Sequence, residues 1–367
     1  MLLRAVLLSR CVVAIGLYRG NAATPYLVRT GSYVGVRNRV INPWTYFDSE
    51  QFLDLARLGY DRVRVAFFPL YPTLLRLGGK SDVSRAAFGI AISSAAFLAG
   101  LWFVYQWVLA DASVTMARRV VWLLAFFPTS VVWTSLYSES LFFMMFAGML
   151  WSLRTERFAI ATAFGLLAGA TRNTGLVLAG ALVLALLVGR VRSQRRLRWQ
   201  EIMASASPLI AFLIFEGWVA HRFGLSAPRQ AQELFSRQLH QPAWAIWQDL
   251  RSLNHPSFLA LLNLVGVALG LALAGRALLK GRIVGFVIIT GVLAMHLTFP
   301  TLNVPHTNGA VRYLMPLIPF HYEMADLIEH RFATVKSPAV RSAAMISWSL
   351  LATYVALSVG HKYFAVG

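Results

Sequence analysis

The sequence predicts an all-α polytopic membrane protein: a bundle of about eleven transmembrane helices, with a further helix lying at the membrane surface in the first outside loop. Three observations carry that expectation. Hydrophobic residues make up 57% of the 367 residues and charged residues only 13%, about half the roughly 25% of a soluble domain. Apolar runs of about 20 residues, the length that crosses a bilayer, recur along the whole chain. The 34 Lys and Arg outnumber the 15 Asp and Glu, and they sit in short clusters between the apolar runs, as orientation-setting cytoplasmic loops do. Such a composition excludes a disordered tail, a secreted disulfide scaffold and an ordinary cytosolic enzyme. The clustering also excludes the nucleic-acid partner that a net charge of +19 would suggest in a soluble chain. The single cysteine, Cys11, excludes an intrachain disulfide and a cysteine-built zinc site.

The whole chain, 1–367, reads as one integral-membrane domain. Residues 1–18 are apolar but carry Arg4 and Arg10; with no clear small-residue cleavage site they read as a first span rather than a signal peptide. A long outside loop follows, about 19–85. In it, Asp48 and Gln51 read as a helix N-cap with its capping-box partner. Phe52, Leu55 and Ala56 then form a short apolar stripe and Gly59 a stop, which describes a surface helix of about three turns. In Phe67-Phe68-Pro69-Leu70-Tyr71-Pro72 two prolines forbid regular helix, so irregular backbone is expected there, lining a cavity. Clear spans are 86–110, 203–221, 256–275, 283–300 and 342–359. The stretch 119–153 is too long for one span and divides at Tyr137-Ser138-Glu139; 158–189 divides likewise at Thr171-Arg172-Asn173-Thr174. Residues 312–330 form a weaker span with Glu323 and Asp326 in its second half, and 222–255 form a second outside loop.

The distribution of positive charge tests this division. With the N-terminus inside, the short inside connections 111–119, 154–157, 190–201, 276–282 and 331–341 hold fifteen Lys or Arg. The outside connections after the first hold six: Arg172, Arg222, Arg229, Arg237, Arg251 and Arg312. The first outside segment is itself basic, but long segments translocate largely regardless of charge. The outside face then collects the unusual polar residues: Asp48, Tyr137 to Glu139, Arg172 with Asn173, and the loop 301–312 with His306, Asn308 and Arg312. Polar groups from distant segments converging on one membrane surface mark a site.

Each candidate has a plainer alternative. Asp48 either only caps its helix or is a carboxylate held at the water–lipid boundary as a general base. Glu139, between two apolar runs, either binds sugar hydroxyls or pairs with an arginine such as Arg172 as a brace. Asp54, six residues beyond Asp48 and on another helix face, is the second candidate for a base. His306 and Asn308 either touch substrate or face water. No DxD pair or His/Cys cluster marks a metal site, so no cofactor is expected, and a divalent cation has no support in the sequence.

Taken in order, Phe47-Asp48-Ser-Glu-Gln51-Phe-Leu with Gly59-Tyr60, Phe67 to Pro72, Phe127-Pro128, Tyr137 to Phe142, Gly169-Ala-Thr-Arg172-Asn173-Thr-Gly175-Leu176 and Arg312-Tyr313-Leu-Met-Pro316 resemble the motifs of the PIG-V mannosyltransferases, the family of the GPI second mannosyltransferase and its bacterial relatives. The resemblance covers roughly 44–320. It implies a GT-C-type bundle and a glycosyltransferase that takes a hexose, mannose above all, from a polyprenyl or dolichyl phosphate sugar. Asp48 holds the place of the family's catalytic base. Arg172, Arg312, Glu139, Tyr137 and Tyr313 become candidates for donor phosphate and sugar. Gln51, Tyr71, Asn173, His306 and Asn308 become candidates for acceptor or sugar contact. The acceptor would be a lipid, glycan or protein. Arginine-rich composition and compact length point to a bacterial member in the cytoplasmic membrane, working on the extracytoplasmic side; a eukaryotic one would sit in the endoplasmic reticulum. The rival reading is a lipid or solute transporter or flippase, to which Glu216 and His296, nearer mid-span, would belong.

Overall fold

The computed structural model describes residues 2–23, 38, 40–193, 198–254, 258–303, 305–333 and 354. These form helices α1 (Leu2–Ala23), α2 (Asp48–Leu58), α3 (Leu70–Leu75), α4 (Asp82–Leu109) and α5 (Val114–Ala125). They continue with α6 (Glu139–Arg154), α7 (Phe158–Gly169), α8 (Thr174–Ser193), α9 (Trp199–Phe223) and α10 (Ala227–Leu234). The remainder are α11 (Pro242–Arg251), α12 (Phe258–Leu279), α13 (Ile283–Thr298), α14 (Ala310–Leu314) and α15 (Ile318–Ala333). Among the described residues the only extended pairing is an antiparallel bridge between Arg237 and Thr301.

The chain is an integral membrane protein, and α4, α9 and α12 are long and apolar enough to cross a bilayer. Helices α5, α6, α7 and α13 have 12 to 16 residues, roughly 18–24 Å at 1.5 Å per residue, which falls short of the roughly 30 Å hydrocarbon core. Helices α6 and α7 are bounded by the polar interruptions at 137–139 and 171–174, whereas α5 and α13 stop before Phe127-Pro128 and Phe299-Pro300. The predicted division of 119–153 appears as α5, an irregular 126–138 and α6; that of 158–189 as α7, a turn and α8. The weak span 312–330 is broken into α14 and α15 around Pro316. The predicted span 342–359 lies outside the described residues, apart from Tyr354.

Local sequence explains the boundaries. Ser81 and Ser113 cap α4 and α5 by accepting the backbone N–H of Ser84 and Met116, each at 3.1 Å, as side-chain oxygens at N-caps do. Arg10, anomalous in the apolar α1, donates to the carbonyls of Ser130 at 2.6 Å and Ala125 at 2.7 Å, satisfying the end of α5. A core of stacked aromatics lies between α4, α5 and α6. Phe97 stacks on Trp133 with ring centres 5.0 Å apart, and Trp133 meets Phe143 at 4.8 Å. The close approach of α7, α8 and α9 depends on two glycines: a Cβ at Gly169 would lie 2.1 Å from the Pro208 carbonyl oxygen, and one at Gly175 would lie 2.7 Å from the Gly169 Cα. Small residues let membrane helices approach this closely, and here they fold residues 170–173 into the tight turn that carries Arg172.

Two local expectations are corrected. Asp48 does not cap α2: it is the first helical residue, Phe47 occupies the cap position, and no side-chain cap bond forms. The capping box with Gln51 is therefore absent. The segment with two prolines is not irregular throughout, since Leu70–Leu75 is a helical turn and a half. Pro69 precedes it and Pro72 sits in its first turn, where the missing N–H has no intrahelical acceptor to lose. Gly59 does end α2, with φ of 86°.

Candidate active site

Four charged side chains from four distant segments meet at the N-terminal end of α6. The chain just before Asp48 is fixed there by hydrogen bonds to 135–137. Leu136 N–H donates to the Trp44 carbonyl at 3.0 Å. The Ser49 hydroxyl donates to the Leu136 carbonyl, and the Tyr137 hydroxyl to the Tyr46 carbonyl, both at 3.0 Å. The Tyr46 hydroxyl lies 2.9 Å from the Ser135 hydroxyl, and burial pushes its phenol well above the ordinary range, keeping it neutral. Between these anchors Phe47 adopts φ of 46° and ψ of −110°, a region that costs a bulky residue about 1–3 kcal/mol and persists only where its surroundings enforce it. The strain turns Asp48 away from its own helix and toward Arg312.

Arg312 is 4% exposed. Its Nη2 donates to Asp48 Oδ2 at 2.7 Å and its Nε to Glu139 Oε1 at 2.5 Å, while its guanidinium lies over the Tyr137 ring, 4.5 Å from the centre. Arg172 Nη1 reaches the same Glu139 oxygen at 2.7 Å and the Ser138 hydroxyl at 3.3 Å; its guanidinium lies 5.3 Å from the centre of the Tyr313 ring. Glu139 is fully buried at the first position of α6, where the helix dipole favours an anion. Two arginines on one buried carboxylate brace the segments that carry Asp48, the 170–173 turn and α14.

Asp48, Ser138, Arg172, Asn173, Arg312 and Tyr313 open onto a cavity of about 550 Å³, within the size range of small-molecule sites. It is also lined by Glu216 of α9, Arg229 and Gln232 of α10, Arg237, and His296 of α13. Of the residues singled out in the sequence, Glu139 and Tyr137 lie directly behind this lining. Gln51, Tyr71, His306 and Asn308 are not part of it. Tyr71 is buried, its hydroxyl 2.9 Å from the Ser93 hydroxyl and 3.2 Å from the Gly89 carbonyl. The Oε1 of Gln51 and Oδ1 of Asn308 are buried without a hydrogen-bond partner. His306 is held by its backbone N–H on Asp249 at 2.7 Å and by Nδ1 at 2.9 Å from the Thr301 carbonyl. Asp54 pairs with Arg57 at 2.7 Å and with Arg64 at 2.5 Å.

Sequence reasoning missed Asp249, which also takes the Thr307 N–H at 2.9 Å and hydroxyl at 2.6 Å and so anchors the loop leading to Arg312. It counted Arg229 and Arg237 only as outside charges. It set Glu216 and His296 aside as marks of a transporter, although both lie on the cavity that holds Asp48. Among the described residues no group of three His, Cys, Asp or Glu could hold a metal ion.

The family model for Mannosyltransferase (PIG-V) matches residues 26–221. Among solved structures, the chain is similar to the oligosaccharyltransferase of Archaeoglobus fulgidus tethered with an acceptor peptide containing the NVT sequon. That match has 10% identity over 96% of this chain and 55% of that one, with a TM-score of 0.47. The same enzyme in complex with Zn and sulfate matches with 13% identity over 94% and 53%, with a TM-score of 0.48. The chain thus spans about half the length of those structures. No curated protein matches it.

Proposed function

Because the chain belongs to the PIG-V mannosyltransferase family, we propose that it is a membrane glycosyltransferase that moves a hexose, mannose by its family, from a polyprenyl or dolichyl phosphate sugar to an acceptor hydroxyl, with Asp48 as general base. The observation that carries this reading is the setting of Asp48. Its carboxylate lines the cavity, is held by Arg312 through Oδ2 alone among the described residues, and is aimed by a strained residue rather than spent on a helix cap.

In the proposed reaction the acceptor O–H gives its proton to the Asp48 carboxylate as its oxygen bonds to the anomeric carbon. The bond from that carbon to the phosphate oxygen breaks, and the lipid phosphate leaves with the electron pair. General-base catalysis needs the base within hydrogen-bond reach of the proton, and the free Oδ1 on the cavity wall supplies such an acceptor. Arg172 and Arg312 hold positive charge beside it. The aromatic side chains Phe67, Phe68 and Phe212 on the same cavity suit the first isoprene units of a lipid donor. The bundle of about eleven spans would place this cavity on the extracytoplasmic side of a bacterial cytoplasmic membrane, or in the endoplasmic-reticulum lumen.

The test uses the purified protein in lipid with polyprenyl phosphate mannose and a panel of lipid, glycan and peptide acceptors. Transfer is expected from the lipid donor, and GDP-mannose alone is expected to be inert. Robust transfer from GDP-mannose without a lipid carrier would overturn the donor assignment. The membrane face is read separately in a Cys11→Ser background: a cysteine at the exposed Leu279 should label only from the cytoplasm and one at Leu302 only from outside.

A further inference from the structure

The charges around Asp48 balance without a ligand. Asp48 and Glu139 are matched by Arg172 and Arg312 in one connected network, so a phosphate placed there adds a negative charge that these four residues have already neutralised internally. Burying an anion needs a cation not already committed.

The same cavity offers one. Arg237 lines it, and among the described residues no carboxylate lies within ion-pair distance of its guanidinium; Nη1 only donates to the Phe299 carbonyl at 3.3 Å. Its backbone is pinned by the bridge to Thr301 and by the Arg237 N–H on the Gln232 carbonyl at 3.0 Å. Immediately before it, Ser236 holds φ of 56°. Among the described residues three non-glycine residues have positive φ, and two of them, Phe47 and Ser236, directly precede charged residues on this cavity. Such strain is retained where surrounding structure enforces it, often at ligand sites. Arg229, on the same cavity, differs: it is exposed and paired with Glu233 at 3.0 Å.

The second group on this cavity is His296, near the C-terminal end of α13. It is 4% exposed and lines the cavity, yet neither ring nitrogen has a hydrogen-bond partner, although the Thr307 and Asn308 backbone approaches the ring. Tyr313 holds the ring from one side, with centroids 4.4 Å apart. Burying a polar ring without a partner is costly, and a ligand accepting from it would recover that cost.

We propose that Arg237 and His296 form the anion subsite of this cavity and take the phosphate of a lipid-linked phosphate sugar. The assignment rests on the donor reading above and deepens it: the sugar would bridge from the phosphate at Arg237 and His296 toward Asp48.

Binding of farnesyl phosphate, farnesol and inorganic phosphate to the intact protein in nanodiscs tests it. The wild type should bind farnesyl phosphate at least tenfold more tightly than either farnesol or inorganic phosphate. Arg237→Gln should lose about ten- to a hundredfold for farnesyl phosphate, the worth of a charged hydrogen bond, and little for farnesol. Arg237→Lys should lose less, and Arg198→Gln, which removes an exposed pair with Glu156 away from the cavity, should change nothing beyond about twofold. If Arg237→Gln does not accumulate as folded protein, His296→Asn gives the same reading through a selective loss of the phosphate preference. A full phosphate preference in Arg237→Gln, or in His296→Asn where that variant stands in, overturns the subsite while leaving the donor reading intact. A wild type with no phosphate preference defeats the donor reading and the subsite together. Inorganic phosphate binding as tightly as farnesyl phosphate overturns the lipid-linked ligand.

Discussion

Two of the protein's networks of arginine and carboxylate are built differently. At the Asp48 site the four residues come from segments up to 264 positions apart, the backbone before Asp48 is strained, and the polar groups are not all used: Glu139 Oε2 and both His296 nitrogens lack hydrogen-bond partners. The second network joins α12, the following turn and α15. There Arg276 reaches Glu323 at 2.7 Å and Asp326 at 2.6 Å, Arg282 reaches the same two at 2.7 and 2.9 Å, and Lys280 adds Asp326 at 2.7 Å. Both Glu323 oxygens are paired. The second network also borders a cavity, of about 410 Å³, but with both oxygens of its buried glutamate paired it braces its helices, whereas the Asp48 network is unsaturated and keeps unpartnered polar atoms beside its cavity.

The difference is broken most sharply by Asp48→Asn. Asp48 makes no cap bond, so the substitution removes a proton acceptor and one charge from Arg312, which keeps Glu139. Turnover should fall by about 10²–10⁴, the usual worth of a general base, with normal expression and donor binding. Retention of more than about a tenth of wild-type rate would move the base elsewhere. Next in size is Glu139→Gln, which leaves Arg172 and Arg312 buried without their shared anion. Breaking a buried pair costs about 3–5 kcal/mol, so the melting temperature and turnover should fall together. A variant as stable and active as wild type would show that the brace is dispensable.

Glu323→Gln sharpens the comparison from the other side. Asp326 still holds Arg276 and Arg282, so the loss should be about 1–3 kcal/mol, the cost of under-satisfied buried polar groups. It should appear in thermal unfolding and not in kcat of the folded fraction. A drop in kcat at unchanged stability would tie this network to the reaction.

The sequence made part of this legible. Polar residues interrupting apolar runs marked the breaks at Tyr137–Glu139 and Thr171–Thr174, because a polar knot in an apolar stretch has few places to go but a helix end. Sharing one face put Asp48, Glu139, Arg172 and Arg312 on one list. What stayed hidden depends on backbone geometry. Phe47 carries no sign of a positive φ, so Asp48 read as a cap. Pro72 looked like a breaker because its position within the first helical turn was unknown. His296 looked mid-span because the helix end and the returning loop that cover it, anchored on Asp249, could not be placed from hydropathy. Arg237 had no local signal at all: its proposed role comes from being a cation without a carboxylate partner among the described residues, on a cavity that only folding creates.

The smallest effect is expected at Asp54, and it bears on the comparison because Asp54 is the other aspartate on α2. From the sequence Asp48 reads as a cap or a base, and Asp54 as the second candidate on another helix face. In the fold, Asp48 is on the cavity and shares its arginine with a buried glutamate, while Asp54 is bound by Arg57 and Arg64, with Arg57 itself half exposed. Pairs of this kind are worth about 0–1 kcal/mol, and the carboxylate is not among those facing the cavity. Asp54→Asn should therefore lower the melting temperature by no more than a few degrees and leave turnover within about twofold, since nothing it touches reaches Asp48. The double variant Asp48→Asn with Asp54→Asn should be no slower than Asp48→Asn alone. If Asp54→Asn by itself cost more than tenfold in turnover at unchanged stability, proton transfer would have to run through Asp54, and the unsaturated network would lose its claim to be the catalytic one.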